Sequence, residues 1–271
     1  MLSITTDYVQ DFGSPGPYLK RIAEAGFSHI HWCHHWHTDF VYSDPEVDQI
    51  AAWMHDYSLQ LCDLHASAGV EKSWTSSREY ERLAGVELVK NRIAMAARLE
   101  SDVIIMHVPA EPEEAEENEV FWTQLHKSLD ALEPFARDRG VRIAIENLFP
   151  DNFRTIEKIL SQYGPDYLGI CYDSGHANVT GVGLDHLDRL KDRLISVHLH
   201  DNDGGGDQHK LIFAGTVDWE RLALIMAQSA YTKPVSLEVS INHFGSRDEQ
   251  LFLAAAFKTG MTFSHMIDKR R

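Results

Sequence analysis

The sequence predicts an α/β fold, a single (β/α)8 barrel over residues 1–271, on three observations. Short β-branched, apolar runs alternate eight times with stretches of 3.6-residue periodicity. Six of those runs, 59–65, 103–107, 141–146, 168–173, 194–198 and 234–238, end in a residue able to bind a metal. No Gly/Ser linker interrupts the series. Ligands delivered one per strand end are what a closed parallel sheet needs to gather a metal centre at its C-terminal mouth.

In order, residues 3–9 form a first strand before a helix over 17–25, and 27–32 a second before 45–57. The third strand, 59–65, precedes a helix over 79–99 whose Leu83, Val86, Leu88, Val89, Ile93 and Ala97 make one apolar stripe. Residues 103–108 lead to a helix over 121–139 that Gly140 is placed to stop. Then come 141–148 before 153–163, 168–172 before 184–192, 194–200 before 219–228, and 234–240 before a last helix over 248–267. Each unit must cross over right-handed, and a barrel closes such a series most economically. A chain of 271 residues suits one domain of this kind, which routinely runs to about 250 residues or more.

With 44% hydrophobic and 24% charged residues, the chain can bury a full core. No apolar stretch approaches the roughly 20 residues of a bilayer span, and the start, Met1 to Asp7, lacks the basic then apolar pattern of a secretory signal. A cytoplasmic protein without membrane association is expected. The three cysteines, Cys33, Cys62 and Cys171, are too widely spaced for a disulfide framework or a CxxC knuckle and read as buried strand thiols. The net charge of −16 opposes binding to nucleic acid, because phosphate attraction needs clustered Lys and Arg, and only Lys269-Arg270-Arg271 forms a basic run. Residues 111–117 are a solvated acidic loop or helix start. The sixteen histidines are the unusual count, and many fall where a strand should end.

The chemistry therefore sits on the loops after the strands. Ile143-Ala144-Ile145-Glu146-Asn147 and Leu237-Glu238-Val239 each deliver a carboxylate at a strand end. Such a pair across a barrel mouth suits bridging a divalent ion and moving a proton on and off a carbon beside a carbonyl. In Tyr172-Asp173-Ser174-Gly175-His176, an Asp ending a strand and a His across a Gly turn aim into one volume, although the Asp is equally suited to cap the next helix. Strand alternation puts His198 and His200 on one side of Val197-His198-Leu199-His200-Asp201. After a Gly204-Gly205-Gly206 turn, Asp207 and His209 add another carboxylate–imidazole pair. Asp and His suit Zn or Mn, with Mg or Co also compatible, while a cysteine-rich structural zinc is excluded.

The segments Leu64-His65-Ala66-Ser67, Met106-His107-Val108-Pro109, Ile145-Glu146-Asn147, Asp173-Ser174-Gly175-His176, His198-Leu199-His200-Asp201, Asp207-Gln208-His209 and Leu237-Glu238 resemble, in this order, the xylose isomerase-like TIM barrels. That group holds sugar isomerases and epimerases, inosose dehydratases and endonuclease IV-type nucleases. The resemblance runs from the first strand to the last helix. Its ketose 3-epimerase branch implies one divalent ion on Glu146, Asp173, Glu238 and a histidine, preferably His198 because Asp201 follows it at the matching spacing, with His200 as the other candidate. It also implies that Glu146 and Glu238 act as acid and base on a small carbohydrate through an ene-diolate, and that His176 contacts sugar oxygens. A homo-oligomer is compatible with this reading.

The nuclease branch implies up to three zinc ions instead, on His65, His107 and Glu146; on Glu146, Asp173, His198 and Glu238; and on His176, Asp207 and His209. Against it stand the acidity and loops that carry His, Asp, Glu and Trp rather than Lys and Arg. A non-catalytic sugar-binding barrel is the third reading, and it would predict lost ligands where this chain keeps them all. Trp32 and His34, around the loop after the second strand, and Trp74 after the third are candidates to line the pocket. Packing away from the pocket is the competing role for each.

Overall fold

In the computed structural model, which describes residues 1–10 and 12–271, eight parallel strands form one sheet in the order β7-β6-β5-β4-β3-β2-β1-β8. They are β1 (Leu2–Thr5), β2 (His29–Trp32), β3 (Gln60–His65), β4 (Val103–His107), β5 (Arg142–Glu146), β6 (Leu168–Asp173), β7 (Leu194–His198) and β8 (Val235–Leu237). Residues just past β7 close the ring: Leu199 N donates to Ser236 O at 3.0 Å, and Glu238 N donates to Leu199 O at 3.1 Å. The fold is the (β/α)8 barrel that the sequence predicts. Parallel register keeps the strand ends level, so Glu146 lies opposite His107 on one side, and Asp173 lies opposite His198.

The helices are α1 (Gly16–Glu24), α2 (Asp44–Asp56), α3 (Glu79–Arg98), α4 (Ala115–Asp138), α5 (Phe153–Gln162), α6 (Ser174–Thr180), α7 (Gly183–Leu190), α8 (Trp219–Gln228) and α9 (Glu249–Asp268). The acidic run predicted as loop or helix start is both: residues 111–114 lead into α4, and Glu116 and Glu117 lie in its first turn, where the helix dipole favours negative charge. The short helix α6 is absent from the periodicity reading because Ser174-Gly175-His176-Ala177-Asn178-Val179-Thr180 has no apolar stripe. On α3 the expected stripe is also corrected. Leu83 is 52% exposed, whereas Arg82 and Arg92 are buried. Arg82 pairs with Glu79 at 2.7 Å, and Arg92 donates to Phe40 O at 3.0 Å and lies 4.5 Å above the Tyr42 ring.

The main core lies between sheet and helices, while a small cluster of Val103, Ile105, Ala144, Cys171 and Ile195 fills the inside of the barrel. Above that plug the interior turns polar. Asp63 on β3 accepts a hydrogen bond from Ser196 on β7, and His31 on β2 pairs with Asp63 at 2.7 Å. No helix among the described residues is long and apolar enough to cross a membrane.

Candidate metal centre and active site

Strand ends carry the candidate site, so its geometry is set by the ladder. Ligand atoms of Glu146, Asp173, His198 and Glu238 all lie within 4.8 Å of one another. His198 Nδ1 sits between the two glutamates, 3.2 Å from Glu146 Oε2 and 3.2 Å from Glu238 Oε2. Glu146 also meets His107 Nε2 at 3.1 Å, His65 Nε2 at 3.5 Å and His176 Nδ1 at 3.6 Å. His65, His107 and Glu146 form another group of ligand atoms within the same reach.

His200 occupies a different part of the mouth from His198. Its Nε2 lies 3.1 Å from Asp173 Oδ2 and 3.7 Å from Asp207 Oδ1, and its ring stacks on His209 at 4.1 Å. His176 and His209 are each oriented by a backbone carbonyl on Nδ1, from Asn147 at 3.0 Å and Glu238 at 2.8 Å. That leaves both Nε2 atoms facing Asp207, at 3.4 Å and 3.1 Å. Asp173 has two uses: Oδ1 accepts from His176 N at 2.7 Å and caps α6, while Oδ2 faces His200. The predicted Gly turn is thus the first turn of a helix.

Every positive partner of these carboxylates is an imidazole; among the described residues no Lys or Arg pairs with Glu146, Asp173, Asp207 or Glu238. Burial opposes ionisation of Glu146 and Glu238, but His198 beside both holds them well below the usual carboxylate range. Burial and the neighbouring His107 push His65 well down, toward the neutral form that ligates metals. Burial disfavours a charged His209, yet Asp207 and Glu238 lift it to about 10. Buried anions concentrated around imidazole donors fit a divalent cation, because charge removed from water must be balanced locally.

Three predicted pocket residues lie elsewhere. Trp74 is 3% exposed, and its backbone is packed so closely on Gly85 that a Cβ there would lie 2.2 Å from Trp74 N. Trp32 donates from Nε1 to Tyr42 Oη at 3.0 Å. With His34 it lines a separate cavity of about 230 Å³ that also contains Phe40, Tyr42 and Trp53. The aromatic wall of the mouth is Trp36, stacked on His65 at 4.8 Å and edge-on to His107 at 5.2 Å. Asp7 is the other residue that sequence reading passes over. Burial raises its pKa and the nearby Glu238 adds to the rise, against a hydrogen bond from Thr5. Reading the first strand through residue 9 hides this carboxylate inside it, whereas β1 stops at Thr5.

The family model for the xylose isomerase-like TIM barrel matches residues 19–256, and the chain belongs to that family. Among its relatives, y4fM of Sinorhizobium fredii is 32% identical over 252 residues, covering 83% of this chain and 81% of y4fM. Probable endonuclease 4 of Thermoplasma acidophilum is 24% identical, covering 78% of this chain and 79% of its own. Among solved structures, a D-psicose 3-epimerase with D-fructose superposes with a TM-score of 0.80 at 17% identity over 98% of both chains. An IolI protein with a binding zinc atom superposes with a TM-score of 0.75 at 16% identity, over 100% of this chain and 99% of that one. At these identities the structural likeness is one of fold.

Proposed function

We propose that this protein is a divalent-metal-dependent isomerase or epimerase of a small polyhydroxylated carbonyl compound, a ketose, an inosose or a phosphorylated relative. The observation that carries the reading is the pair of glutamates, buried Glu146 and half-buried Glu238, that share His198 Nδ1 at 3.2 Å each. Glu146, Asp173, His198 and Glu238 would hold the ion, with zinc or manganese best suited to this donor set. When bound, the ion supplies Lewis acidity to a carbonyl and its adjacent hydroxyl. One glutamate removes the proton from the carbon beside the carbonyl, and the other returns it to rearrange or invert that carbon. His176, fixed by Asn147 O, presents Nε2 to substrate hydroxyls, and Trp36 supplies an apolar wall for the ring. Similarity to a D-psicose 3-epimerase and an IolI protein supports the substrate class.

A second reading, a trinuclear zinc phosphodiesterase, is favoured by the convergence of His176 and His209 on Asp207 next to the His65–His107–Glu146 group. The net charge of −16 weighs against a DNA backbone as ligand. Incubation with ketoses and inososes in D2O tests the choice. Deuterium should wash into the carbon beside the carbonyl, with a chelator stopping the exchange. Chelator-sensitive cleavage of an abasic-site oligonucleotide, with no solvent exchange into any sugar, would transfer the assignment to the nuclease.

A further inference from the structure

Beside the four proposed ligands lies a second cluster, which shares Glu238 with them and whose other three members the proposed reaction leaves unused. His31 on β2 and Cys33 just beyond it bring an imidazole and a thiol together with His65 and Glu238, all four ligand atoms within 4.8 Å of one another. His31 is fully buried, and its Nδ1 lies 2.7 Å from Asp63 Oδ1. Ser196 holds Asp63 from across the barrel. An ionised carboxylate on Nδ1 fixes the proton there and leaves Nε2 as a lone-pair donor. That Nε2 is buried without a hydrogen-bond partner. Buried polar atoms are nearly always satisfied, and a carboxylate behind a histidine is the arrangement that aims the far nitrogen at a metal.

We propose that His31, Cys33, His65 and Glu238 form a second divalent-metal site, of the zinc or cobalt class, that shares Glu238 with the first. A donor set of one thiolate, two imidazoles and one carboxylate suits a four-coordinate, borderline-soft ion and disfavours magnesium. Glu238 is placed to face both clusters. Its Oε2 lies 3.2 Å from His198 Nδ1, and its Oε1 is turned toward His65 Nε2 at 4.0 Å. Binding displaces the Cys33 thiol proton to solvent. The inference rests on the proposed function only in that Glu238 serves both sites.

Cobalt(II) titration of the metal-free protein tests it, followed by absorption and by metal analysis. A thiolate ligand gives a sulfur-to-cobalt charge-transfer band in the near ultraviolet that oxygen and nitrogen ligands do not. The band should appear in the wild type, and Cys33→Ser should abolish it and remove one equivalent of cobalt. Cys62→Ser and Cys171→Ser should keep it. Cys171 is the stringent control, because its thiol is within reach of Glu146 and His198. Asp173→Asn, a ligand of the first site alone, should lose one equivalent and keep the band, which separates failure of the first site from failure of the second. A wild type that binds cobalt without the band, or a band that follows Cys171, overturns the proposal. Should Cys33→Ser not fold, the Cys62→Ser/Cys171→Ser double variant retains Cys33 as the lone thiol. Absence of a sulfur neighbour in its cobalt X-ray absorption spectrum is then the refuting result.

Discussion

Gly175→Ala tests whether the mouth needs His200 where it stands. A Cβ at this position would lie 1.9 Å from His200 Cε1, 2.4 Å from Nδ1 and 2.6 Å from Nε2. Ordinary carbon contacts begin near 3.5 Å, so the ring must retreat by about 1.6 Å. It has little room to do so: His200 is fully buried, bonded to Asp173 at 3.1 Å and stacked on His209 at 4.1 Å. Two effects of opposite sign compete. Within α6, alanine is favoured over glycine by up to about 1 kcal/mol, whereas overpacking a rigid site costs about 1–3 kcal/mol. The clash should win, giving a net loss of about 1–2 kcal/mol and a fall in Tm of about 2–8 °C.

Activity should suffer more than stability, because displacing a positioning group by about 1 Å can cost roughly 100-fold in rate. The decisive assay is a double-mutant cycle with His200→Ala, measured by thermal unfolding. Without the imidazole the clash is gone, and Gly175→Ala should become neutral or stabilising by up to about 1 kcal/mol. Wild-type activity and Tm in Gly175→Ala, or the same destabilisation with and without His200, would refute the reasoning.

Glu146→Gln and Glu238→Gln should each lower turnover by about 10²–10⁴-fold, roughly 3–5 kcal/mol on the barrier, with circular dichroism unchanged; near wild-type turnover in either would reassign the proton carriers. Chelation should lower Tm by about 5–10 °C from a state with free metal at about 100 times Kd, where binding contributes about 2.7 kcal/mol; an unchanged scanning-calorimetry trace would count against a bound ion. Burial opposes ionisation of Asp63, but His31 outweighs it and holds the pKa at about 2, below its ordinary 3.8. The ionised form is therefore the stabilised one, so a contribution of about 2 kcal/mol is complete above pH ~5 and fades as pH falls through about 2. Acid unfolding of Asp63→Asn should lack that slope. Trp36→Ala should raise KM by about 2–10-fold with little change in kcat, the share an aromatic contact supplies; a kcat effect alone would place Trp36 outside substrate binding.

The barrel was legible because parallel strands covered by helices must be apolar, and helices resting on them must be periodic. The convergence of Glu146, Asp173, His198 and Glu238 was legible for a related reason: register levels the strand ends, so a side chain closing each run arrives at one height. Loop geometry was not. In His31-Trp32-Cys33-His34-His35-Trp36-His37 six of the seven residues are histidine or tryptophan, and composition does not tell which ones turn inward. His35 has a φ of +57°, and the chain reverses there, sending Trp36 over His65 while Trp32 and His34 line an outer cavity. Gly175 was similarly opaque, since its constraint comes from His200, which lies twenty-five residues on in sequence and is brought close only by the barrel.

The choice of cation explains why the site is built from so many histidines. Three carboxylates, two of them buried and Glu238 half-buried, need compensating charge, and a lysine or arginine would supply it permanently while filling the space between them. An imidazole can supply it conditionally. Protonated, it pairs with the carboxylates when no ion is bound; neutral, the same nitrogen becomes a ligand when an ion arrives. His198 fits this exchange, with burial resisting its charge and the carboxylates of Glu238 and Glu146 holding its pKa above the ordinary value. Loading such a site releases protons, so metal affinity should rise with pH until those histidines are neutral. A lysine-balanced site would have no comparable exchange to make, because its cation would have to be expelled rather than deprotonated in place.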